Sequence, residues 1–232
     1  ARSMGADAVA NALEARGETV IRNGSRGMLW MEPLVERADE RHGPRVGWAN
    51  VTAGQIDAGL PDEQADNFIG VVEEFDYLAR QNRWIYERVG ITDPVDPEDY
   101  VAHGGLTGLK NALAMSGSDV VQAVTDSGLR GRGGAGFPAG IKWRTVADQA
   151  PAPHAGESQN APAHKYICVN ADEGDSGTFA DRMLMEGDPF CLLEGMTIAA
   201  HAVGADRGLV YLRSEYPDAI ATLQSAIWIA RE

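Results

Sequence analysis

Two periods of apolar residues run along this chain. Residues 5–16 set Val9, Leu13 and several alanines on one side of a predicted helix. Residues 18–22 and 28–35 predict strands joined through the turn-rich Asn23-Gly24-Ser25-Arg26-Gly27, and 45–49 predicts a third. Over 68–88 the apolar positions Phe68, Val71, Val72, Phe75, Leu78 and Ile85 recur at helical spacing, with Gly90 as a stop. Asp93-Pro94-Val95-Asp96-Pro97 then breaks the pattern and predicts a boundary. From Tyr100 onward helices and strands alternate. Helices are expected over 106–115 and 118–125, then a buried strand over 165–170 (YICVN). Asp188 is expected to cap a helix over Pro189–Val203, followed by a buried strand over 209–213 and a helix over Pro217–Ile229. The expected class is α/β, with helices covering the faces of a mostly parallel sheet. The expected division is a partial α-then-β unit at 1–50, an acidic helical connector at 51–99 and an α/β domain at 100–232. Residues 150–163, rich in Pro and Ala, predict a low-complexity loop.

Composition narrows the classes. The chain has 232 residues and a formal net charge of −14, so binding a nucleic-acid backbone is not expected as a global property. No run of about 18 apolar residues exists, which excludes a membrane-spanning helix. Residues 1–11 show no basic patch followed by an apolar stretch, so no secretory signal is expected, and the start at Ala1 fits a processed or truncated chain. Two cysteines, Cys168 and Cys191, cannot supply a four-thiolate iron–sulfur cluster or a disulfide framework. A reducing, cytoplasmic setting is the expectation. Residues 51–100 carry 3 cations against 12 acids, whereas 101–150 carry 5 against 3 and form the one net-positive block. Within it, residues 127–147 hold Arg130, Arg132, Lys142 and Arg144 and no acid. A cationic segment in an acidic chain calls for an anionic partner.

That segment reads Gly128-Leu-Arg-Gly-Arg-Gly-Gly-Ala-Gly-Phe-Pro-Ala-Gly-Ile-Lys-Trp143, with six glycines in its first thirteen positions. Glycine lets the backbone take positive φ and approach a ligand closely. Successive amides in such a turn form an anion-binding nest, and Arg and Lys add charge-assisted bonds to phosphate. A flexible linker is the bland alternative, but linkers do not usually carry Phe-Pro and Lys-Trp. No Gly-Lys-Ser/Thr makes it a Walker loop, and the loose G-x-G-x-x-G at 131–136 has no clear strand before it. Downstream, Asn170-Ala-Asp-Glu-Gly-Asp175 follows the carboxyl end of the first predicted α/β strand, where ligands sit in open α/β sheets. Asn170 and Asp172 can bond hydroxyls or a ring edge, and Glu173 or Asp175 a second ligand. Ion pairing between these acids and the glycine-loop cations, or between Asp181 and Arg182, is the structural alternative. His42, His103, His154, His164 and His201 have no ligand spacing, so no metal site is expected. Cys168 and Cys191 are expected to be inert core thiols. No Gly-x-Ser-x-Gly elbow supports a serine hydrolase.

The glycine-rich stretch with Lys142-Trp143, together with Asn170-Ala-Asp-Glu, Glu194-Gly-Met and Val210-Tyr-Leu-Arg, resembles the flavoprotein subunit of respiratory complex I and its soluble relatives. Asp175-Ser-Gly-Thr-Phe-Ala-Asp-Arg-Met183 and Asp99-Tyr-x-x-His103-Gly-Gly are most similar to the beta subunit of soluble NAD-dependent formate dehydrogenase. Residues 1–50 resemble the back half of a thioredoxin-like module, and the later domain is expected to be a Rossmann-like, incomplete FMN-binding fold. The resemblance implies a diaphorase in which FMN exchanges hydride with NAD(H) and electrons with iron–sulfur clusters. It implies that Gly131, Arg132, Gly133, Gly134 and Lys142 hold the FMN phosphate and ring. Asn170 and Asp172 would contact the flavin, Phe137 would stack on the dinucleotide, and Glu173 and Asp175 would lie at the nicotinamide side. Relatives carry Glu where Asp175 stands and an aromatic where Thr145 stands. A Gly-Glu-Glu element, a ubiquitin-like domain and a 4Fe–4S domain of these relatives are not in the sequence, so the chain is expected to be a fragment. Implied partners are a molybdenum- or tungsten-containing formate dehydrogenase alpha subunit and a small 2Fe–2S thioredoxin-like gamma subunit. The corresponding subunit of a bidirectional hydrogenase or of complex I, and a cofactor-free scaffold, remain open readings.

Overall fold

The computed structural model describes residues 1–38, 43–153, 158 and 163–232. Most of the 150–163 loop, His42 and His154 therefore lie outside the described residues. The chain forms two compact units, Ala1–Asp93 and Pro94–Glu232.

In the first unit, helix α1 (Ala6–Ala15) is followed by strands β1 (Val35–Ala38) and β2 (Arg45–Trp48), helix α2 (Ala53–Ala58), strand β3 (Phe68–Val71) and the short helix α3 (Asp76–Ala79). The strands make an antiparallel sheet in the order β1-β2-β3. Val9, Trp48, Val51 and Ile56 form a core, and Trp48 Nε1 donates to the Asp62 carbonyl at 2.8 Å. Thr52 and Gln55 close a capping box at the start of α2. A second cluster joins Met28, Val72 and Leu78.

Three sequence expectations change here. Residues 18–22 pair with no strand among the described residues, and Ile21 is exposed. Residues 28–35 begin with a 3-10 turn at Leu29–Met31, and only Val35 enters a strand. The helix expected over 68–88 is strand β3, a 3-10 turn and α3. Gly70 has φ +79°, which a right-handed helix cannot contain, and β2 supplies ladder partners to Phe68, Gly70 and Val71. Of the apolar residues that mimicked one helical stripe, Phe68 joins one cluster, Val72, Phe75 and Leu78 join the other, and Ile85 is exposed. Because β3 completes the sheet begun before residue 50, residues 51–93 are part of this unit rather than a helical connector.

The guanidinium of Arg26 is its buried electrostatic centre. It donates to both carboxylate oxygens of Glu36, at 2.9 and 2.6 Å, and to Glu73 at 2.9 Å. Gly90 closes over it: its φ is +80°, and a Cβ there would stand 2.5 Å from Arg26 Cδ. Arg45 and Asn23 also bond the Gly90 carbonyl, at 2.9 and 3.1 Å.

The second unit starts with α4 (Pro97–Ala102), capped by Asp96, whose Oδ1 accepts from the amides of Glu98 and Asp99. Helices α5 (Thr107–Leu113), α6 (Gly117–Asp126) and α7 (Ala139–Ala147) lead to strand β4 (Tyr166–Ala171). Helices α8 (Ala180–Gly187) and α9 (Pro189–Val203), strand β5 (Arg207–Leu212) and helix α10 (Pro217–Ile229) follow. β4 and β5 pair in parallel, from Tyr166 against Arg207 to Ala171 against Leu212. The α/β alternation with a parallel pair matches the expected class, while the first unit's sheet is antiparallel. Pro189 takes the first position of α9, but Asp188 is buried at the α8–α9 junction and its side chain makes no capping bond. Glu194 on α9 reaches across to α5, accepting from the amides of Leu106 and Leu109 at 2.8 Å each and from the Tyr100 hydroxyl. It supplies the acceptor that the start of α5 lacks within its own sequence.

The expectation of fully buried strands is corrected. Ile167, Val169, Ala171, Val210 and Leu212 pack into helical clusters, whereas Cys168, Asn170, Leu209 and Tyr211 point away and are exposed. Period-two alternation puts these two sets on opposite faces, and among the described residues helices cover one face only.

Removing the Arg26 guanidinium leaves Glu36 without its principal cation in a buried setting. Arg26→Ala should lower the unfolding free energy of the first unit by about 3–5 kcal/mol, measured by urea titration. A loss near zero would show that the pair is not buried in solution.

Candidate functional site

The glycine-rich segment is a closed turn at the head of α7. The Gly131 amide donates to the Phe137 carbonyl at 2.9 Å and the Ala139 amide to the Leu129 carbonyl at 2.8 Å. Arg130 bonds the Gly136 carbonyl at 3.0 Å, clasping the loop to itself. Gly134 at φ +97° and Gly136 at φ +61° take the left-handed conformation that glycine supplies at no steric cost. A Cβ at Gly133, Gly134 or Gly136 would meet nothing within 4 Å, so this backbone lies open. The turn feeds α7 through Pro138, with no side-chain cap and no acid in the first helical turn. First-turn amides of such a helix have no intrahelical acceptor and face an anion favourably. Lys142 lies in that turn, and Arg132 projects from the glycine run; both are exposed. Phe137 is 50% exposed.

The alternative of inter-loop ion pairing is not what the structure shows. Among the described residues no carboxylate forms an ion pair with Arg130, Arg132, Lys142 or Arg144, and Arg144 bonds the Gln122 amide oxygen instead. Nor does Asp181 pair with Arg182, which bonds Glu186 at 2.8 Å.

Gly140 fixes α7 against α6, since a Cβ there would stand 2.2 Å from Thr125 Oγ1. Lys165 Nζ donates to the carbonyls of Ala147 and Val203, both at 3.0 Å, tying the C-termini of α7 and α9 to the start of β4. The glycine turn lies at the far end of α7, about 13 Å along its axis by helical rise.

At the carboxyl end of β4 an open groove of about 430 Å³ is lined by Cys168, Val169, Asn170, Asp172 and Tyr211. Asn170 and Asp172, two of the candidate residues, line it. Asn170 Oδ1 accepts from the Asp172 amide at 3.2 Å, an Asx turn that bends the chain off the strand. Cys168 and Tyr211 were not expected in it. Cys168, read as an inert core thiol, is exposed because the uncovered face carries it. The signal was period two: Cys168 and Asn170 on one strand, Leu209 and Tyr211 on the other. Cys191 is half-buried on α9.

Beyond the groove, Glu173 is engaged within the protein. Its Oε1 accepts from the Asp181 amide at 2.7 Å, and its Oε2 from the Arg182 amide at 3.2 Å and the Tyr216 hydroxyl at 3.1 Å. It caps α8 from outside that helix. Partial burial and the nearby Glu173 charge push the Asp181 carboxyl up. Burial, then the bond to Glu173, push the Tyr216 phenol up, so it remains a donor at neutral pH. Asp175 is exposed on the turn 175–178. The expected residues thus fall into two groups: Gly131, Arg132, Gly133, Gly134, Phe137 and Lys142 at the head of α7, and Asn170, Asp172, Glu173 and Asp175 past β4. No hydrogen bond or ion pair joins the two among the described residues. No group of three or more His, Cys, Asp or Glu there is arranged to hold a metal ion, and no helix there is long and apolar enough to cross a membrane.

Residues 124–232 match the family model of the Nuo51 FMN-binding domain. The chain is 46% identical over 153 residues to NADP-reducing hydrogenase subunit HndC of Solidesulfovibrio fructosivorans, covering 66% of this chain and 29% of that protein. It is 46% identical over 134 residues to a subunit of the NADH-quinone oxidoreductase of Rhizobium meliloti strain 1021, covering 57% and 29%. A solved NAD+-reducing NiFe hydrogenase in the H2-reduced state aligns over 80% of this chain and 30% of its own at 31% identity, with a TM-score of 0.46. The chain therefore spans 29% of the length of either curated relative. The resemblance to the flavoprotein family of respiratory complex I is shown for residues 124–232.

An exposed thiol on an open sheet face should react quickly. In the native chain one thiol, Cys168, should be modified rapidly by a thiol-disulfide dye and Cys191 far more slowly. Cys168→Ser should abolish the fast phase; its persistence would contradict the uncovered face.

Proposed function

We propose, from the family shown for residues 124–232, that this chain carries the FMN-holding part of a diaphorase subunit acting on NAD(H). The carrying observation is the open glycine turn at the head of α7, with Arg132 and Lys142 exposed and, among the described residues, no carboxylate on either. An FMN phosphate fits these donors: the amides of the 132–134 run and of Gly140 and Ile141 in the α7 first turn would bond its oxygens, with Arg132 and Lys142 balancing its charge. Asn170 and Asp172, already lining the groove, offer acceptors and an amide to ribityl hydroxyls or a ring edge. Phe137 offers a stacking face to a dinucleotide, and Asp175 an exposed carboxylate on the turn that follows the groove-lining loop. Glu173 holds the loop that presents Asp172. Bound FMN would supply hydride exchange with NAD(H) and one-electron exchange with iron–sulfur clusters. The protein's part is binding and orientation. A 4Fe–4S cluster of this reading lies outside these 232 residues, because two cysteines cannot ligate it.

The finer reading is the beta subunit of an NAD-dependent formate dehydrogenase in the cytoplasm. Its partners would be a molybdenum or tungsten alpha subunit and a 2Fe–2S gamma subunit. The wording of Asp175–Met183 supports it. The names of the relatives favour a second reading, the equivalent subunit of a hydrogenase or of an NADH-quinone oxidoreductase. Reduction of NAD by the complete assembly with formate, and not with hydrogen, would select the first.

The chain should take up FMN and turn yellow on reconstitution; a folded, colourless chain would overturn the reading in favour of a scaffold. Lys142→Ala removes one charged bond to phosphate, which corresponds to about 1.5–3 kcal/mol. It should weaken FMN binding by about tenfold or more, measured by flavin fluorescence quenching. Unchanged affinity would remove Lys142 from the site.

A further inference from the structure

We propose that Tyr216 is a positioning residue for the groove: by donating to Glu173 it holds the 172–175 backbone that presents Asp172. The inference rests on the FMN reading above and adds a device that the glycine motif does not contain. Glu173 is one of three non-glycine residues at positive φ among the described residues, at +42°. A side chain in that conformation persists only where its surroundings hold it. Here three elements do so. Arg213, just past β5, donates from Nη1 to the Glu173 carbonyl at 2.8 Å. The first turn of α8 donates two amides to its carboxylate, and Tyr216, at the start of α10, donates its hydroxyl.

Tyr216 is itself fixed. It is 6% exposed, and the guanidinium carbons of Arg182 and Arg213 stand 5.5 and 5.1 Å from its ring centroid. Two cations over one ring favour its negative face. Arg182 is further held by Glu186 and lies 5.7 Å from the Phe179 ring; Arg213 bonds Glu215 at 3.3 Å. The ring is thus packed on its faces, and its hydroxyl lies between the Glu173 carboxylate and the Thr178 carbonyl, at 3.1 and 3.4 Å. Asp172 precedes Glu173 and is bonded to Asn170, so a shift in Glu173 is passed to both groove-lining residues. A Cβ at Gly174 would stand 3.1 Å from Asp172 Oδ2, so the Asp172 carboxylate lies close over the backbone that follows Glu173. Sequence spacing could not show this convergence, because 43 residues separate Glu173 from Tyr216.

The test is FMN titration of the wild-type chain, Tyr216→Phe, Glu173→Gln and the double variant, with thermal melting and the bound-flavin spectrum recorded for each. Tyr216→Phe keeps the ring and its cations and removes only the donor. Positioning predicts that FMN binding weakens by about tenfold, the flavin band shifts and the melting temperature stays at the wild-type value. The double variant should then lose less than the sum of the two single losses, because the Tyr216–Glu173 contact is shared by both. Unchanged affinity in Tyr216→Phe, losses that simply add, or a collapse in melting temperature alone would each overturn the inference. A wild-type chain that binds no FMN would sink the functional reading and this inference with it, an outcome separate from a bound flavin indifferent to Tyr216.

Discussion

The second unit depends on the one-sided burial of its parallel strand pair. Helices meet Ile167, Val169 and Ala171 of β4 and Val210 and Leu212 of β5, and the opposite face is left to Cys168, Asn170, Leu209 and Tyr211. Parallel strands are ordinarily covered on both faces, so an open one is where a ligand or further structure can approach. The groove, the exposed thiol and the accessible end of β4 all follow from this asymmetry. Because α7 and α9 are both pinned to the start of β4 through Lys165, their packing also decides which end of the helix layer carries the glycine turn.

Electrostatics act in two different ways in this acidic chain. In the first unit Arg26 and its carboxylates satisfy one another, and that arrangement organises a core. At the head of α7 the cations stay exposed and form no ion pair among the described residues, although 34 acids are available in the sequence. A charge left unpaired on a rigid backbone is pre-organised for a ligand of opposite sign, since little reorganisation is needed on binding.

Carboxylates that look alike in sequence serve different ends. Glu194 caps α5 from α9, and Glu173 caps α8 from the β4 loop. Both supply acceptors to helix starts that lack their own, at long sequence separation. Asp172 and Asp175 remain toward solvent. The loop past β4 is therefore part structural brace and part candidate binding surface, divided at Glu173.

Local sequence determined a good deal. The helices α1, α5, α6, α9 and α10 follow from apolar periodicity, the parallel pair from two short runs of β-forming residues, and the open turn at the head of α7 from glycines set among cations. These rest on short-range physics: propensity, positive φ and charge density. The 68–88 segment misled because its spacing suits a helix until Gly70 adopts a left-handed φ and β2 offers a ladder, a choice made by a partner strand. Which face of β4 is open, and hence that Cys168 is exposed, was likewise decided by where α8, α9 and α10 pack. The job of Glu173 was decided by Tyr216 and Arg213, brought to it only by the fold. Burial and long-range hydrogen bonds are properties of neighbours in space, and the order of residues along a chain does not contain them.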